Sequence, residues 1–324
     1  MKKLLLSASV ALLMFSCQKD NEVVTEDQTT TSSSITHRGC ASHEVLEQQL
    51  RENPGLAQKM EEIESKTRSF LSSSTGRLVN GRIEIPVVVN VLYRTAAENI
   101  SLTQIQSQID VLNKDFNAQN SDYNQVPSLF SGVKANVGIS FVLDQVIRKS
   151  TTKSSWGTRD AMKKSKQGGI NPTSPTTKLN LWVATIGGGI LGYAQFPGGS
   201  TATDGVVIDS KYFGVTSNSG SSYPYNLGRT ATHEVGHWMN LRHIWGDATC
   251  GSDLVSDTPV HNTANYGVPA YPHYSTCSGT PVEMTMNYMD YTDDRGMYMF
   301  SLGQKARMDA IFASGGARNS FAQP

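Results

Sequence analysis

The sequence lacks an excess of charge of either sign: its 324 residues carry 28 Lys and Arg against 28 Asp and Glu. A nucleic-acid binder usually shows a broad basic field. Here the densest lysine cluster is Lys163, Lys164 and Lys166, so nucleic acid is not an expected partner. Charged residues make up only 17% and hydrophobic residues 38%, a balance that argues against global disorder and against a multi-span membrane protein. There is no internal repeat, and Gly187-Gly188-Gly189 follows no phosphate-loop pattern. What is left is a soluble globular chain, long enough to bury a sizeable core in one large domain or two modest ones.

The N-terminal apolar run from Leu4 to Phe15 follows Lys2-Lys3 and falls short of the roughly 20 residues of a membrane span. That layout is a secretory signal over residues 1–16, and it takes the protein out of the cytoplasm. Phe15-Ser16-Cys17, followed by polar Gln18 to Asn21, resembles a bacterial lipoprotein signal, which implies lipid on Cys17 and a place in the cell envelope. The alternative is simple secretion with an incidental cysteine. The only membrane contact expected is through that anchor. Thr25 to Thr36, with almost nothing to bury, reads as a tether.

Val45, Leu46 and Leu50, then Leu56, Met60 and Ile63, flank Asn53-Pro54 and predict two short helices, the second capped by Asn53. Ser72 to Gly76 marks a boundary with the main domain. Ile83, Ile85, Val87, Val89 and Val91 alternate, with apolar residues between some of them, as in a strand covered on both faces. Ser101 to Gln104 reads as a capping box ahead of a helix through Ile105, Ile109, Leu112 and Phe116. Ser301 to Gln304 does the same for a C-terminal helix. Further strands are predicted around Val137 to Leu143, Leu179 to Ile186 and Gly205 to Asp209.

The informative segment is His233-Glu234-Val235-Gly236-His237-Trp238-Met239-Asn240-Leu241-Arg242-His243. Two imidazoles four residues apart project from one helix face and can bind one ion, with Glu234 beside them to take a proton from a metal-activated water. The helix is expected to begin after Asn226 as its cap. His243 joins the site only if the chain turns back, and Asn240, tolerant of the left-handed conformation, stands where the turn is needed. Three protein ligands with an open fourth position describe a catalytic zinc site. Chance produces such a spacing in on the order of one comparable chain in ten thousand.

This motif resembles that of the metzincin metalloproteases, in particular the pappalysin-like group to which ulilysin and cytophagalysin belong, although metzincins usually have glycine at the position of Asn240. The resemblance continues from about Ile85 to Phe312. It implies an α+β, zincin-like fold: a twisted mixed sheet with backing and active-site helices, above an irregular lower subdomain with a C-terminal helix. It makes Gly192, Tyr193 and Ala194 part of a substrate-binding edge strand, Met289 the Met-turn floor beneath the ligands and Tyr291 an oxyanion-stabilising residue. It suggests structural calcium at Asp253, Asp257 and Thr258, within an acidic loop that also contains Asp247. It makes Cys40 a cysteine switch, the alternative being an incidental thiol in a propeptide. It also suggests that Asp293 and Asp294 select basic residues after the scissile bond unless Arg295 neutralises them. Cys250 and Cys277, both in the exported catalytic domain, are expected to be bonded, contributing roughly 3.5 kcal/mol by chain entropy. Relatives commonly carry a second bridge, and its positions correspond here to Val268 and Gly296, which should therefore touch.

The expected organisation is thus a signal over 1–16, tether and helical propeptide over 17–80, and a catalytic domain over 81–324. The expected function is a zinc-dependent endopeptidase that acts on proteins or peptides and is made as a latent zymogen. The alternatives are a catalytically inactive zincin-fold surface binding protein and a hydrolase of some non-peptide amide.

Overall fold

In a computed structural model that describes residues 37–72, 83–216 and 223–322, the apolar segment Ile83–Tyr93 forms strand β1. The signal, Cys17, the tether and the boundary near residue 80 lie outside the described residues. With β2 (Ile139–Ser150), β3 (Leu179–Ala184), β4 (Gly192–Ala194) and β5 (Val206–Asp209), β1 builds a five-stranded sheet of order β2-β1-β3-β5-β4. Every pairing is parallel except β4 with β5, so the sheet is mixed and β4 is its edge. Ile85, Val87, Val88, Val89 and Val91 are all fully buried, as expected of a strand covered on both faces, where each side chain contributes about 1.5–3 kcal/mol. Pro86 is tolerated because it is paired only with β2; the ladder to β3 begins at Val87.

Helix α3 (Leu102–Phe116) lays Ile105, Ile109, Leu112 and Phe116 on one face of the sheet, beside α4 (Arg229–Trp238). The other face is closed by a second apolar cluster in which Leu92, Trp182, Tyr193 and Val207 pack with Trp156 and Met162. Beyond Met239 the chain is irregular up to α5 (Leu302–Phe312), and Cys250 and Cys277 are bonded across it, their Cα atoms 5.7 Å apart. Val268 and Gly296 do touch: a Cβ on Gly296 would lie 3.3 Å from a Val268 methyl.

The two predicted N-terminal helices are α1 (Ser42–Glu52) and α2 (Pro54–Ser72), and the Asn53 side chain accepts from the Gly55 N–H. Both belong to the same compact unit as the sheet, with Leu56 buried and α2 against α5. Ser301 and Gln304 form the reciprocal capping box of α5. At α3 the expected box is only half made: Ser101 accepts from the Gln104 N–H, but the Gln104 side chain donates to the Phe213 carbonyl. A tertiary acceptor competes successfully for that amide.

Candidate active site

All residues of α4 are buried, and His233 and His237 lie one turn apart on it. The helix begins at Arg229 rather than next to Asn226, with Gly228 at its cap in the left-handed region (φ 79°) and no side-chain cap bond. The Asp294 carboxylate does that work from a distant segment, accepting from the Leu227 and Arg229 N–H groups. At the other end Asn240 takes φ 71°, the chain reverses and His243 comes back to the helix.

Each imidazole is oriented through Nδ1, by the Tyr288 carbonyl at 2.7 Å for His233, the Leu241 carbonyl at 2.8 Å for His237 and the Asp247 carboxylate at 2.5 Å for His243. Those acceptors hold the protons on Nδ1 and leave the Nε2 lone pairs converging. His237 Nε2 lies 3.2 Å from that of His233 and 3.1 Å from that of His243. Burial and mutual proximity push the His233 pKa well below its ordinary value and that of His237 down to about 3, so these two rings stay neutral. Nitrogens that converge this closely, each ring already oriented through its Nδ1, fit a cation. Asp247 therefore serves His243 rather than an acidic ion-binding loop. Its i+4 spacing from His243 was visible in the sequence, but only the fold shows what it orients.

Met289 lies beneath this group, its sulfur so close to Gly236 that a Cβ there would come within 2.5 Å. The Tyr291 ring packs against His243 and Trp245, with centroids 4.9 and 4.7 Å away. Burial, with Cys40 and Glu234 adding to it, raises the Tyr291 pKa well above its ordinary value and keeps it a hydroxyl donor. Burial also raises the Glu234 carboxyl to about 7.

The N-terminal segment fills the cleft. Cys40 Sγ and the three histidine nitrogens lie within 4.8 Å of one another, and all four residues are buried. The segment runs parallel to β4: the Leu191 N–H donates to Gly39 O at 2.7 Å, the Ala41 N–H to Gly192 O at 3.1 Å and the Ala194 N–H to Ser42 Oγ at 2.8 Å. Ser42 Oγ also donates to Glu234 at 2.7 Å, and the Cys40 thiol donates to the same oxygen at 3.3 Å. Arg38 enters a closed pocket, donating to Asp294 at 2.5 Å and to Thr292 O and Thr230 Oγ1 at 3.2 Å each, under the Tyr225 ring. Arg38 and Ser42 were missed by sequence reasoning, since nothing local distinguishes them.

One expectation, the Tyr193 side chain as a substrate contact, needs correction. Of the three edge-strand residues, Gly192 and Ala194 turn backbone groups to the N-terminal segment in the cleft. The Tyr193 side chain points into the second apolar cluster, its hydroxyl 3.1 Å from Asp160, and its backbone is paired with Val207 of β5, so the groups that meet the N-terminal segment are those of its neighbours. In the acidic loop, Asp257 accepts from Ser301 Oγ and the Gly303 N–H at the start of α5, while Asp253 accepts from Thr258 and the Val255 N–H. Asp293 is buried beside Asp294, and Arg295 is exposed, outside the pocket that Arg38 fills.

The family model for peptidase M43, described as pregnancy-associated plasma protein-A, matches residues 181–313. An extracellular metalloprotease of Pyricularia oryzae is 36% identical over 70% of this chain and 72% of its own length. One of Podospora anserina is 33% identical over 85% and 89%. The chain belongs to the pappalysin-like metzincin metalloproteases. Among solved structures, a promirolysin mutant of Tannerella forsythia is similar to this metalloprotease with 40% identity and a TM-score of 0.80, covering 88% of this chain and 97% of its own. Mature mirolysin of that organism, in complex with a cleaved peptide, is 42% identical with a TM-score of 0.71, covering 75% and 96%. The donor set that the metalloprotease brings together, three imidazoles and a thiol, is one that suits zinc.

Proposed function

We propose that the chain is a zinc endopeptidase made as a latent zymogen, in which Cys40 takes the fourth zinc position. The observation that carries this reading is the convergence of the Cys40 sulfur with His233, His237 and His243. Burial and the Glu234 carboxylate raise the Cys40 thiol well above its ordinary pKa, so that a cation is what would make it a thiolate. The match to promirolysin over 88% of the chain, against 75% for mature mirolysin, differs by about the length of the α1–α2 segment and supports assigning that segment to a propeptide.

Zinc held by the three imidazoles would polarise the scissile carbonyl and lower the pKa of a bound water. Glu234 takes the proton from the attacking water and returns it to the leaving amine. Tyr291 stabilises the oxyanion: its hydroxyl, 3.2 Å from the Cys40 carbonyl oxygen, has a comparable oxygen to donate to in a substrate. Met289 supports the ligands from below. Gly192 and Ala194 offer backbone groups to an extended peptide, and their present partners, Ala41 and Ser42, are what a substrate replaces. Ser42 belongs to the latch as well, because it holds both the general base and an edge-strand N–H.

Asp294, with Asp293 beside it, selects a basic side chain after the scissile bond, and Arg38 occupies that pocket in the latent chain. Export through the signal over 1–16, with lipid on Cys17, suits a protein whose relatives are named extracellular. Calcium at Asp253, Asp257 and Thr258 is supported by Asp253, whose burial lifts its carboxyl to about 6 and which a cation would relieve. The non-hydrolytic binding reading is disfavoured by the assembled base and ligands.

The test is a peptide library cleaved by enzyme freed of its propeptide. Cleavage ahead of Arg or Lys is expected, with Glu234→Gln retaining about one zinc per chain but losing nearly all hydrolysis. Undiminished hydrolysis by that variant would overturn the mechanism, and an apolar preference after the cut would overturn the role of Asp294.

A further inference from the structure

A second buried ion pair joins the N-terminal segment to the catalytic domain, on the opposite side of the histidine group from Arg38. Glu64 of α2 accepts from Arg307 of α5 through both carboxylate oxygens, at 2.5 and 3.1 Å, and from Asn240 Nδ2 at 3.2 Å. Arg307 is 2% exposed. Its other contacts are long, 3.3 Å to Asn240 O and 3.5 Å to Leu254 O, and its Nε has no acceptor among the described residues. Burial alone would raise the Glu64 carboxyl, yet Arg307 holds it below its ordinary value, with Asn240 and the Arg242 cation acting in the same direction. The carboxylate therefore sits in a pocket built for one.

The pocket's place gives it a function. Asn240 is the turn residue between His237 and His243, and Phe196, two residues past the end of β4, packs on His237 with ring centroids 5.3 Å apart. Phe196, Asn240 and Arg242 line a cavity of about 250 Å³ whose other wall is α1 and α2, Glu64 included. A peptide whose basic residue enters the Asp294 pocket after the scissile bond has its preceding residues directed past Ala194 toward Phe196 and Asn240. Removal of α2 would strip Arg307 of its only close acceptor among the described residues and open it to that side.

We infer that Arg307, positioned with Asn240, is a specificity-determining subsite for a carboxylate side chain a few residues before the scissile bond, and that Glu64 is its stand-in in the latent chain. The inference rests on the zymogen reading above. A guanidinium binding a carboxylate through two nitrogens is a charge-assisted, directional contact, and a partly exposed one is expected to give roughly tenfold discrimination.

The experiment uses propeptide-free enzyme and a parent peptide with one arginine, in which a single Glu is walked through the preceding positions and compared with Gln. At one position Glu should raise kcat/KM roughly tenfold through KM, and Arg307→Gln should abolish that ratio while Arg307→Lys keeps part of it. If Arg307→Gln does not fold, the ratio is read on wild-type enzyme against salt, where screening should lower it. Equal cleavage of Glu and Gln peptides at every position, or a ratio independent of both Arg307 and salt, would overturn the subsite. Failure to cleave the parent peptide would overturn the peptidase reading instead.

Discussion

At the scale of the residue, Gly236 shows how tightly the metal group is supported. It lies between the two histidines of α4, and no side chain fits there, since a Cβ would meet Met289 sulfur at 2.5 Å. Gly236→Ala should displace Met289 or bend the helix, destabilising the protein by about 1–3 kcal/mol as overpacking does and weakening zinc retention. Thermal unfolding together with metal analysis checks it, and an unchanged Tm with full zinc would show that Met289 yields without cost. The grouping of His233, Glu234, His237 and His243 could be read from the sequence because they share one helical turn and a short return. Their supports could not: Arg38 and Asp294 are 256 residues apart, Glu64 and Arg307 243, and Ser42 and Glu234 192. The Tyr288 carbonyl that orients His233 carries no side-chain signal at all.

At the scale of the element, α3 and α4 are tied by Asp115, buried on α3, which accepts from Thr232 Oγ1 at 2.7 Å and lies 3.9 Å from Arg229 Nε. Burial raises its carboxyl from 3.8 to about 6, although Arg229 and Thr232 oppose the shift. A folded-state pKa above the unfolded one means that the native state favours the protonated form. The associated stability is then present below about pH 4 and is lost as pH rises through 6. Asp115→Asn should remove that slope, amounting to about 3 kcal/mol between those limits. Denaturant unfolding at a series of pH values measures it, and parallel curves for wild type and variant would contradict it. Elements were legible where the decisive partner is local, as in the α5 capping box and the Asn53-Pro54 start of α2. They were misread where it is remote. The Gln104 amide was drawn to Phe213, and α4 takes its N-terminal partner from Asp294 rather than from Asn226.

At the scale of the whole molecule, the N-terminal segment and the rest of the chain meet at three chemically matched points: a cation in the Asp294 pocket, a thiol among three imidazoles and an anion on Arg307. Sequence patterns indicated the helices and strands, and the family resemblance the irregular lower part, but neither indicated this complementarity, because each half of each pair is unremarkable alone. The central claim is that zinc is held by His233, His237 and His243 with Cys40 as fourth ligand in the intact chain. X-ray absorption at the zinc edge of the purified full-length protein tests it most directly. The expected first shell has one sulfur at about 2.3 Å and three nitrogens at about 2.0–2.1 Å, with the sulfur replaced by a light atom in Cys40→Ala. A wild-type shell of nitrogen and oxygen alone would contradict the account.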